Sequence, residues 1–409
     1  MYRDVYKELS DGGVIQRQKL DITFFEIGYL VLRSIFEKKE IHDSECNVLE
    51  GLFNTNRKRF LSLSVRTTWD LFLSSLSFEK KSEIILTSIT IPNMIDIIKA
   101  HGLVPISISN DEATLSISVK EIEKKISSRT KVILIAHLFG AMTSLEEVRK
   151  LKEKYPHILV VEDCAQGFRS PSEWCEHQWI DLSLISFGTI KTMSCFRGAL
   201  SFIKDEAVFD KMDTLNRTYR HYTKLELASM LLKGLFLKIA SEKIPYTIIF
   251  FCCRVLYVNA DRLLSRSIKG FPGDRFLDLI RRQLPSPIRS LILKKLMGSR
   301  SNIDAKRKNG DFLKSQLHYP ERVIGYKNKS HHFWVFPLKT KHGDRLIKKM
   351  RKIGVDATKN ASHMIKLDSE KVVPLQNIVY IPVHDGVTNA TLTHIAAIIN
   401  QVESGCTEH

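Results

Sequence analysis

The chain has 409 residues, with 62 lysines and arginines against 45 aspartates and glutamates, so its formal net charge is +17. Its hydrophobic content of 44% and charged content of 26% are ordinary for globular proteins, which excludes a mainly disordered or fibrous chain. The length allows two or three domains that need no disulfide or metal to be stable. The excess of positive charge indicates an anionic partner, which could be nucleic acid, a membrane surface or a phosphorylated substrate.

The N-terminus and the cysteines predict a cytoplasmic protein. The opening residues alternate charges and lack the apolar core of a signal peptide. The seven cysteines form no C-x-x-C pair, which fits a reducing compartment. The longest apolar run, 244–258, is too short to span a bilayer and contains Arg254, so no transmembrane helix is predicted.

Hydrophobic periodicity predicts an α/β fold. Region 1–57 is predicted to be a helical lead-in, with apolar residues at helical spacing over 20–36. In region 58–210 short apolar runs alternate with helical stretches, which predicts a largely parallel sheet with helices on both faces. The predicted strands are 60–65, 83–89, 104–109, 131–140 and 158–163, and the predicted helices are 68–76, 93–100, 119–126 and 144–155. Ligands bind at the carboxyl ends of such strands.

Region 211–300 is predicted to be a basic and apolar helical insert. Its first part, 225–258, is apolar with a helix break predicted at Pro245, and its second part, 261–300, is rich in lysine and arginine. Two interpretations stay open: a solvated helical face with dimer contacts, or a surface that binds an anionic membrane through residues 225–300. Nucleic acid is disfavoured because no binding module is present. The apolar side chains predicted to enter the lipid are Leu231, Leu235, Phe236, Ile248, Phe250 and Phe251.

Region 301–409 is predicted to form a smaller α+β domain. The pattern predicts helices around 305–317, 343–354 and 389–402, and an apolar strand over 331–338.

The segment 160–200 contains the side chains that are best suited to catalysis. Asp163 ends one predicted strand, and Lys191 follows another. Pyridoxal phosphate chemistry needs a lysine amine that forms a Schiff base and a carboxylate on the pyridinium nitrogen. The two residues therefore suit that cofactor.

Two blocks of this region resemble a known family. The motif EDCAQ at 162–166 is followed by SFGTIK at 186–191, and RTKVILIAHLFG occupies 129–140. In this order and at this separation they resemble the DegT/DnrJ/StrS family of pyridoxal phosphate-dependent aminotransferases of fold type I, over about 58–204. Weaker similarity continues at 305–317 and 378–388.

The resemblance implies roles for single residues. Lys191 would be the Schiff-base lysine and proton carrier, Asp163 would pair with the pyridine nitrogen, and Gln166 would lie near the phenolic oxygen or the ring face. Ser186, Thr67 at a helix start and Arg66 would hold the phosphate. No metal is predicted, because the histidine and cysteine pairs lack ligand spacing.

The resemblance also implies a function and a partner. The chain would be a homodimeric aminotransferase that takes an amino group from a donor such as glutamate to the keto group of a nucleotide-sugar. A lipid-linked or hydrophobic keto substrate is the alternative that the insert suggests. The loop 192–198 departs from the family's glycine-rich pattern, so a catalytically idle relative that acts as a membrane-surface or regulatory binding protein also stays open. Peripheral attachment at the inner face of a membrane is compatible with either.

Overall fold

The architecture confirms the predicted α/β class, with a mostly parallel sheet, a helical insert and a smaller α+β region. It is known from a computed structural model. The structure describes residues 13–36, 48–174, 177–256, 258, 271, 275–298, 301–359, 364–368, 371–375 and 377–405.

The large region follows the predicted alternation of strands and helices. Its elements are α1 (Phe24–Phe36), β1 (Lys58–Ser62), α2 (Val65–Leu76), β2 (Glu83–Thr87), β3 (Ile89–Thr90), α3 (Pro92–Ala100), β4 (Val104–Ile108), α4 (Val119–Lys125), β5 (Thr130–Ala136), α5 (Glu146–Lys154), β6 (Leu159–Asp163), β7 (Leu182–Ser186) and β8 (Ala199–Ile203). The main difference is that α2 begins at Val65, three residues early. The helix begins there because the side chain of Ser64 caps it, accepting a hydrogen bond from the Thr67 N–H at 3.2 Å.

The strand order of the sheet brings the carboxyl ends of β6 and β7 together. Seven strands lie in the order β1-β8-β7-β6-β5-β2-β4, and only β8 runs antiparallel to its neighbours. The central strands β6 and β7 are adjacent and parallel, with Asp163 opposite Leu184. Their carboxyl ends therefore open at the same edge of the sheet, where a ligand is expected.

The insert consists of helices that follow β8. They are α6 (Glu206–Thr218), α7 (Lys224–Ala240), α8 (Lys243–Val255), α9 (Phe276–Ile280) and α10 (Ser286–Met297). The break predicted at Pro245 falls instead between α7 and α8. Pro245 lies in the first turn of α8, where the missing N–H would have no helical partner anyway.

The insert packs directly on the loop between β7 and β8. A Cβ built on Gly234 of α7 would lie 2.5 Å from the ring of Phe196, and one built on Gly198 would lie 2.4 Å from Ile292 of α10. Phe196 is buried and has a left-handed φ of 66°. The loop 192–198 is therefore shaped by its contact with the insert.

A buried carboxylate anchors the insert to α2. Asp70 accepts two hydrogen bonds from Arg281, at 2.8 and 2.9 Å, and one from the hydroxyl of Tyr219 at 3.2 Å. His101 lies 2.9 Å from the same carboxylate. Burial raises the pKa of Asp70, but the bonds from His101 and Arg281 outweigh it and lower that pKa to about 2.

The C-terminal region forms its own apolar cluster and is fastened by the N-terminal segment. Its elements are α11 (Ser301–Ser315), a 3₁₀ turn (Pro320–Arg322), β9 (Phe336–Lys339), α12 (Gly343–Lys352), β10 (Ile365–Asp368), β11 (Lys371–Pro374), β12 (Ile378–Ile381) and α13 (Asn389–Glu403). The strand predicted at 331–338 begins only at Phe336, since Phe333 has a left-handed φ of 51°. Arg17 forms a bidentate ion pair with buried Asp356, at 2.7 and 3.1 Å.

Helices α1, α7 and α8 expose an apolar face. Phe25 and Phe36 of α1 are each 76% exposed, and Phe236 of α7 is 64% exposed. The prediction that Leu231 faces lipid is wrong, because this side chain is 4% exposed and packs in the main core. We call the following set the apolar face: Phe24, Phe25, Leu32, Ile35, Phe36, Leu225, Leu232, Phe236, Ile239, Ile244 and Ile248. Within the described residues, no helix combines the length and apolarity needed to span a bilayer.

We expect Gly234→Ala to destabilise the protein by about 1–3 kcal/mol, because the added methyl group overlaps the Phe196 ring. Urea unfolding would measure the loss. The matched control is Gly28→Ala in α1, where nothing lies within 4 Å and alanine should stabilise the helix by about 0.5–1 kcal/mol. Equal stability of the two variants would show that α7 does not press on the loop.

We expect Asp70→Asn to cost about 3 kcal/mol at neutral pH, since it leaves the cation of Arg281 without its buried partner. The folded pKa of Asp70 lies below the unfolded value of about 4, so its contribution is complete above that value and is lost as pH falls toward 2. The difference between variant and wild type should therefore shrink at low pH. Asp278→Asn, on the exposed pair with Arg275, should change stability by less than about 0.5 kcal/mol.

Candidate active site

The candidate site lies at the carboxyl ends of β6 and β7. Asp163 is the last residue of β6, and Ser186 is the last residue of β7. Lys191 follows in the loop to β8, where its N–H donates to the carbonyl of Gly188 at 2.9 Å. The structure therefore brings together Asp163, Ser186 and Lys191, as the sequence predicts.

Lys191 points its amine toward an aromatic ring of the C-terminal region. Its Nζ lies 4.6 Å from the centre of the Trp334 ring, and the Trp334 Nε1–H donates to the carbonyl of Ile190 at 3.1 Å. Burial lowers the pKa of Lys191 to about 8, an effect that attraction to Asp163 partly offsets and repulsion from Arg66 reinforces. A lysine with this pKa keeps about one tenth of its amine neutral at pH 7.

Asp163 is set for electrostatic interaction with several cations. One of its oxygens accepts the Ala165 N–H at 2.9 Å. Burial raises the pKa of Asp163, and that hydrogen bond together with the charges of Lys191, His137 and Arg66 opposes the rise. Burial outweighs these attractions, so the pKa of Asp163 is raised overall, and a cation bound beside it would favour the ionised carboxylate.

Two arginines flank the site and share an aromatic partner from the insert. The guanidinium carbons of Arg66 and Arg197 lie 5.5 and 4.1 Å from the ring centre of Phe271. Burial and repulsion from Arg197 lower the pKa of Arg66 to about 10. The Nε of Arg66 is buried and has no hydrogen-bond partner among the described residues. Such an atom calls for an anionic ligand.

The other predicted cofactor residues have protein partners. Gln166 accepts from the Phe139 N–H at 2.8 Å and contacts the sulfur of Met364 at 3.1 Å. The Ser186 hydroxyl accepts from the Gly188 N–H at 3.4 Å. Thr67 donates its hydroxyl proton to the carbonyl of Ile280 at 2.8 Å. The roles of Gln166, Ser186 and Thr67 stay predictions, and for Thr67 they compete with the bond to the insert.

A buried cluster of polar side chains lies behind Asp163. His137, Glu162 and Cys164 have potential ligand atoms within 4.8 Å of one another. His137 already accepts the Thr143 N–H at 3.0 Å, and Glu162 accepts from the hydroxyl of Ser183. Burial raises the pKa of Cys164 far above its usual value, so the thiol stays protonated. The cluster therefore serves as support for the end of β6.

Sequence reasoning missed three residues of the site. Arg197 lies in the loop that departs from the family pattern, and its charge was the available signal. Trp334 and Phe271 come from distant parts of the chain, and nothing local in the sequence places them beside Lys191 and Arg66. The arrangement as a whole offers a nucleophilic amine, one carboxylate and two arginines, which suits a ligand with a carbonyl group and negative charge.

Comparison with known proteins agrees with this geometry. Residues 64–225 match the DegT/DnrJ/EryC1/StrS aminotransferase family. A GDP-perosamine synthase of Escherichia coli is 31% identical over 142 residues, which are 34% of this chain and 39% of that protein. The alignment thus spans about two fifths of this curated relative.

Solved structures extend the likeness to the whole fold. The sugar aminotransferase CalS13 of Micromonospora echinospora superimposes with a TM-score of 0.65 at 17% identity, covering 96% of this chain and all of that one (100%). NtdA of Bacillus subtilis, with its cofactor PMP bound, gives a TM-score of 0.62 at 16% identity, covering 92% of this chain and 83% of that one. The chain therefore has the fold of these aminotransferases, fold type I, and its residues 64–225 are similar to the DegT/DnrJ/EryC1/StrS aminotransferase family.

Proposed function

We propose that this protein is a pyridoxal phosphate-dependent aminotransferase that moves an amino group from an amino acid, glutamate, to the keto group of a nucleotide-linked sugar. The observation that carries the proposal is that Asp163, the last residue of β6, and the partly buried Lys191, in the loop after the adjacent β7, lie close enough for their charges to interact. The family match of residues 64–225 supports the reaction class. The relative that makes GDP-perosamine supports the substrate class.

The residues present fit the cofactor. The unpartnered Nε of Arg66 and the neighbouring Arg197 suit its phosphate, and Asp163 suits its ring nitrogen. Lys191 suits its aldehyde, since burial leaves part of the amine neutral. When bound, pyridoxal phosphate supplies an aldehyde that accepts amines and a ring that delocalises negative charge.

Lys191 is the residue that carries protons in the proposed reaction. Its amine would hold the cofactor, and once a donor's amine had replaced it, the released amine would act as the base. It would then take the proton from the donor's α-carbon and return a proton on the product side. The Trp334 ring and the bonds to the Ile190 carbonyl keep the amine directed into the site.

Asp163 and the arginines fix orientation and charge. The Asp163 carboxylate stabilises positive charge opposite Lys191, and its hydrogen bond from Ala165 holds it in place. Arg66 is held at the start of α2, so an anion bound there also benefits from the helix N-terminus. These groups orient the reacting atoms while the proton moves at Lys191.

The main reason to interpret the chain as a catalytically idle relative no longer holds. It rested on the unusual loop 192–198, whose shape follows from its packing against Gly234 and Ile292. Asp163 and Lys191 are both retained. The idle form is now one outcome of the test below, and homodimer formation stays part of the proposal.

Peripheral binding to an anionic membrane is a second proposal, and the apolar face favours it. A lysine borders this face: the Nζ of exposed Lys294 lies 4.9 Å from the Phe25 ring and 4.6 Å from that of Tyr29. Apolar rings with ammonium groups beside them suit the boundary between acyl chains and anionic head groups. A lipid-linked keto substrate would be presented at such a surface.

We expect Lys191→Ala to lose both the visible absorption of bound pyridoxal phosphate and the mass increase of the protein after borohydride reduction. Lys204→Ala, on an exposed lysine of the same region, is the control and should keep both. Glutamate added to the wild type should remove the visible band. A wild type that stays colourless with added cofactor contradicts the enzyme, and a band that no amino acid removes favours the idle form.

We expect the wild type to float with liposomes that contain about 30% anionic lipid, and the double variant Phe25→Ser, Phe236→Ser to lose most of this binding because both rings are exposed. Tyr319→Ser, in an exposed ring of the C-terminal region, is the control. Sedimentation of the same proteins tests the alternative that a second copy of the chain covers the apolar face. A variant that floats as well as the wild type but no longer dimerises would assign the face to a second copy.

A further inference from the structure

The carbonyl of Ile190 accepts two side-chain hydrogen bonds from distant parts of the chain. The amide Nε2–H of Gln18 donates to it at 2.8 Å, and the indole Nε1–H of Trp334 donates to it at 3.1 Å. Gln18 belongs to the segment 13–19, which precedes α1, and Trp334 belongs to the C-terminal region. Two bonds use both lone pairs of a carbonyl oxygen, so this acceptor is fully occupied.

These bonds act on the peptide group that places the Cα atom of Lys191. The carbonyl of Ile190 and the N–H of Lys191 lie in one planar unit. The Lys191 N–H donates to the carbonyl of Gly188 at 2.9 Å, so the unit is held at both ends. Lys191 lies in a turn between β7 and β8 rather than in a helix or a strand. The orientation of this peptide group therefore depends on these three bonds.

Gln18 is itself held in place, because its neighbours in the segment are bonded to other parts of the fold. Gln16 donates its amide N–H to the carbonyl of Ser241, the residue that ends α7, at 2.9 Å. Arg17 binds buried Asp356 of the C-terminal region at 2.7 and 3.1 Å. The segment thus connects the insert with the C-terminal region, and Gln18 links both to the loop that carries Lys191.

We propose that Gln18 is a positioning residue for Lys191, through which the N-terminal segment contributes to the candidate active site. A base that moves a proton to and from one carbon atom must be held to within about 0.5 Å. The peptide group that bears the Lys191 side chain should therefore stay still while the amine moves. Gln18 allows a cleaner test than Trp334, whose ring also lies 4.6 Å from the amine. This inference rests on the proposed aminotransferase function.

The first test measures the mobility of this peptide group in the full chain without cofactor. Gln18→Met keeps a similar side-chain length but has no donor, so hydrogen–deuterium exchange of residues 186–195 should be about tenfold faster, the factor that one hydrogen bond controls. Gln18→Glu should behave in the same way, because an ionised carboxylate cannot donate to a carbonyl. Gln16→Met is the matched control: it removes the same kind of bond from the same segment, at Ser241, and should leave this exchange at the wild-type rate.

The second test uses the cofactor-loaded full chain. Gln18→Met should lower the limiting rate of the donor half-reaction with glutamate about tenfold and change the half-saturating glutamate concentration less than about twofold, because Gln18 acts through Lys191 and not on the donor. The variant should keep the visible absorption of the bound cofactor, since Lys191 is present. Gln16→Met should react at the wild-type rate.

Other outcomes overturn the proposal. If Gln18→Met lowers the thermal midpoint but leaves the exchange and the limiting rate unchanged, Gln18 only fastens the segment. Equal acceleration of exchange in Gln16→Met would assign the effect to loosening of the whole segment, and a change confined to the half-saturating glutamate concentration would assign Gln18 to donor binding. If the wild type reacts with no amino acid, the aminotransferase proposal fails, while the exchange measurement still decides whether Gln18 holds the peptide group of Lys191.

Discussion

The crowding of cations at the ends of β6 and β7 is the constraint on which the site depends. Lys191 and Arg66 act on the carboxylate of Asp163, and Arg197 repels Arg66. The two arginines are no more than about 10 Å apart because both contact Phe271. At an effective dielectric constant near 20, two like charges at that distance repel by about 2 kcal/mol. A folded chain keeps such a site only if surrounding structure holds the side chains, and a negatively charged ligand relieves the repulsion.

The insert supplies much of that support. Phe271 lies between the arginines, Ile280 accepts the hydroxyl proton of Thr67 at the start of α2, and Arg281 pairs with Asp70 in the same helix. Gly234 allows α7 to press on Phe196 of the loop that follows Lys191. The loop 192–198 and the helices of the insert are therefore packed as one unit.

Hydrophobic periodicity was enough to predict the α/β class, most of the elements and the meeting of Asp163 with Lys191. The strand ends follow from the local pattern, and their common edge follows from the rules of parallel sheets. Trp334 and Phe271 could not be found this way, because their roles depend on contacts between distant parts of the chain. The prediction that Leu231 faces lipid was wrong for a related reason. The apolar composition of a helix indicates that one of its faces is buried, but it does not indicate which face.

Helix α7 shows why that choice of face matters. Leu231, Gly234 and Lys238 face the protein, whereas Leu232, Phe236 and Ile239 face solvent. The Phe196 ring occupies the space that a side chain at position 234 would fill, so a displacement of α7 would move the loop that carries Lys191 or open a gap beside it. The described residues concentrate positive charge in two places. Lys191 and Arg66 lie around Asp163, where they suit an anionic ligand, and Lys294 lies at the rim of the apolar face, where it suits an anionic surface.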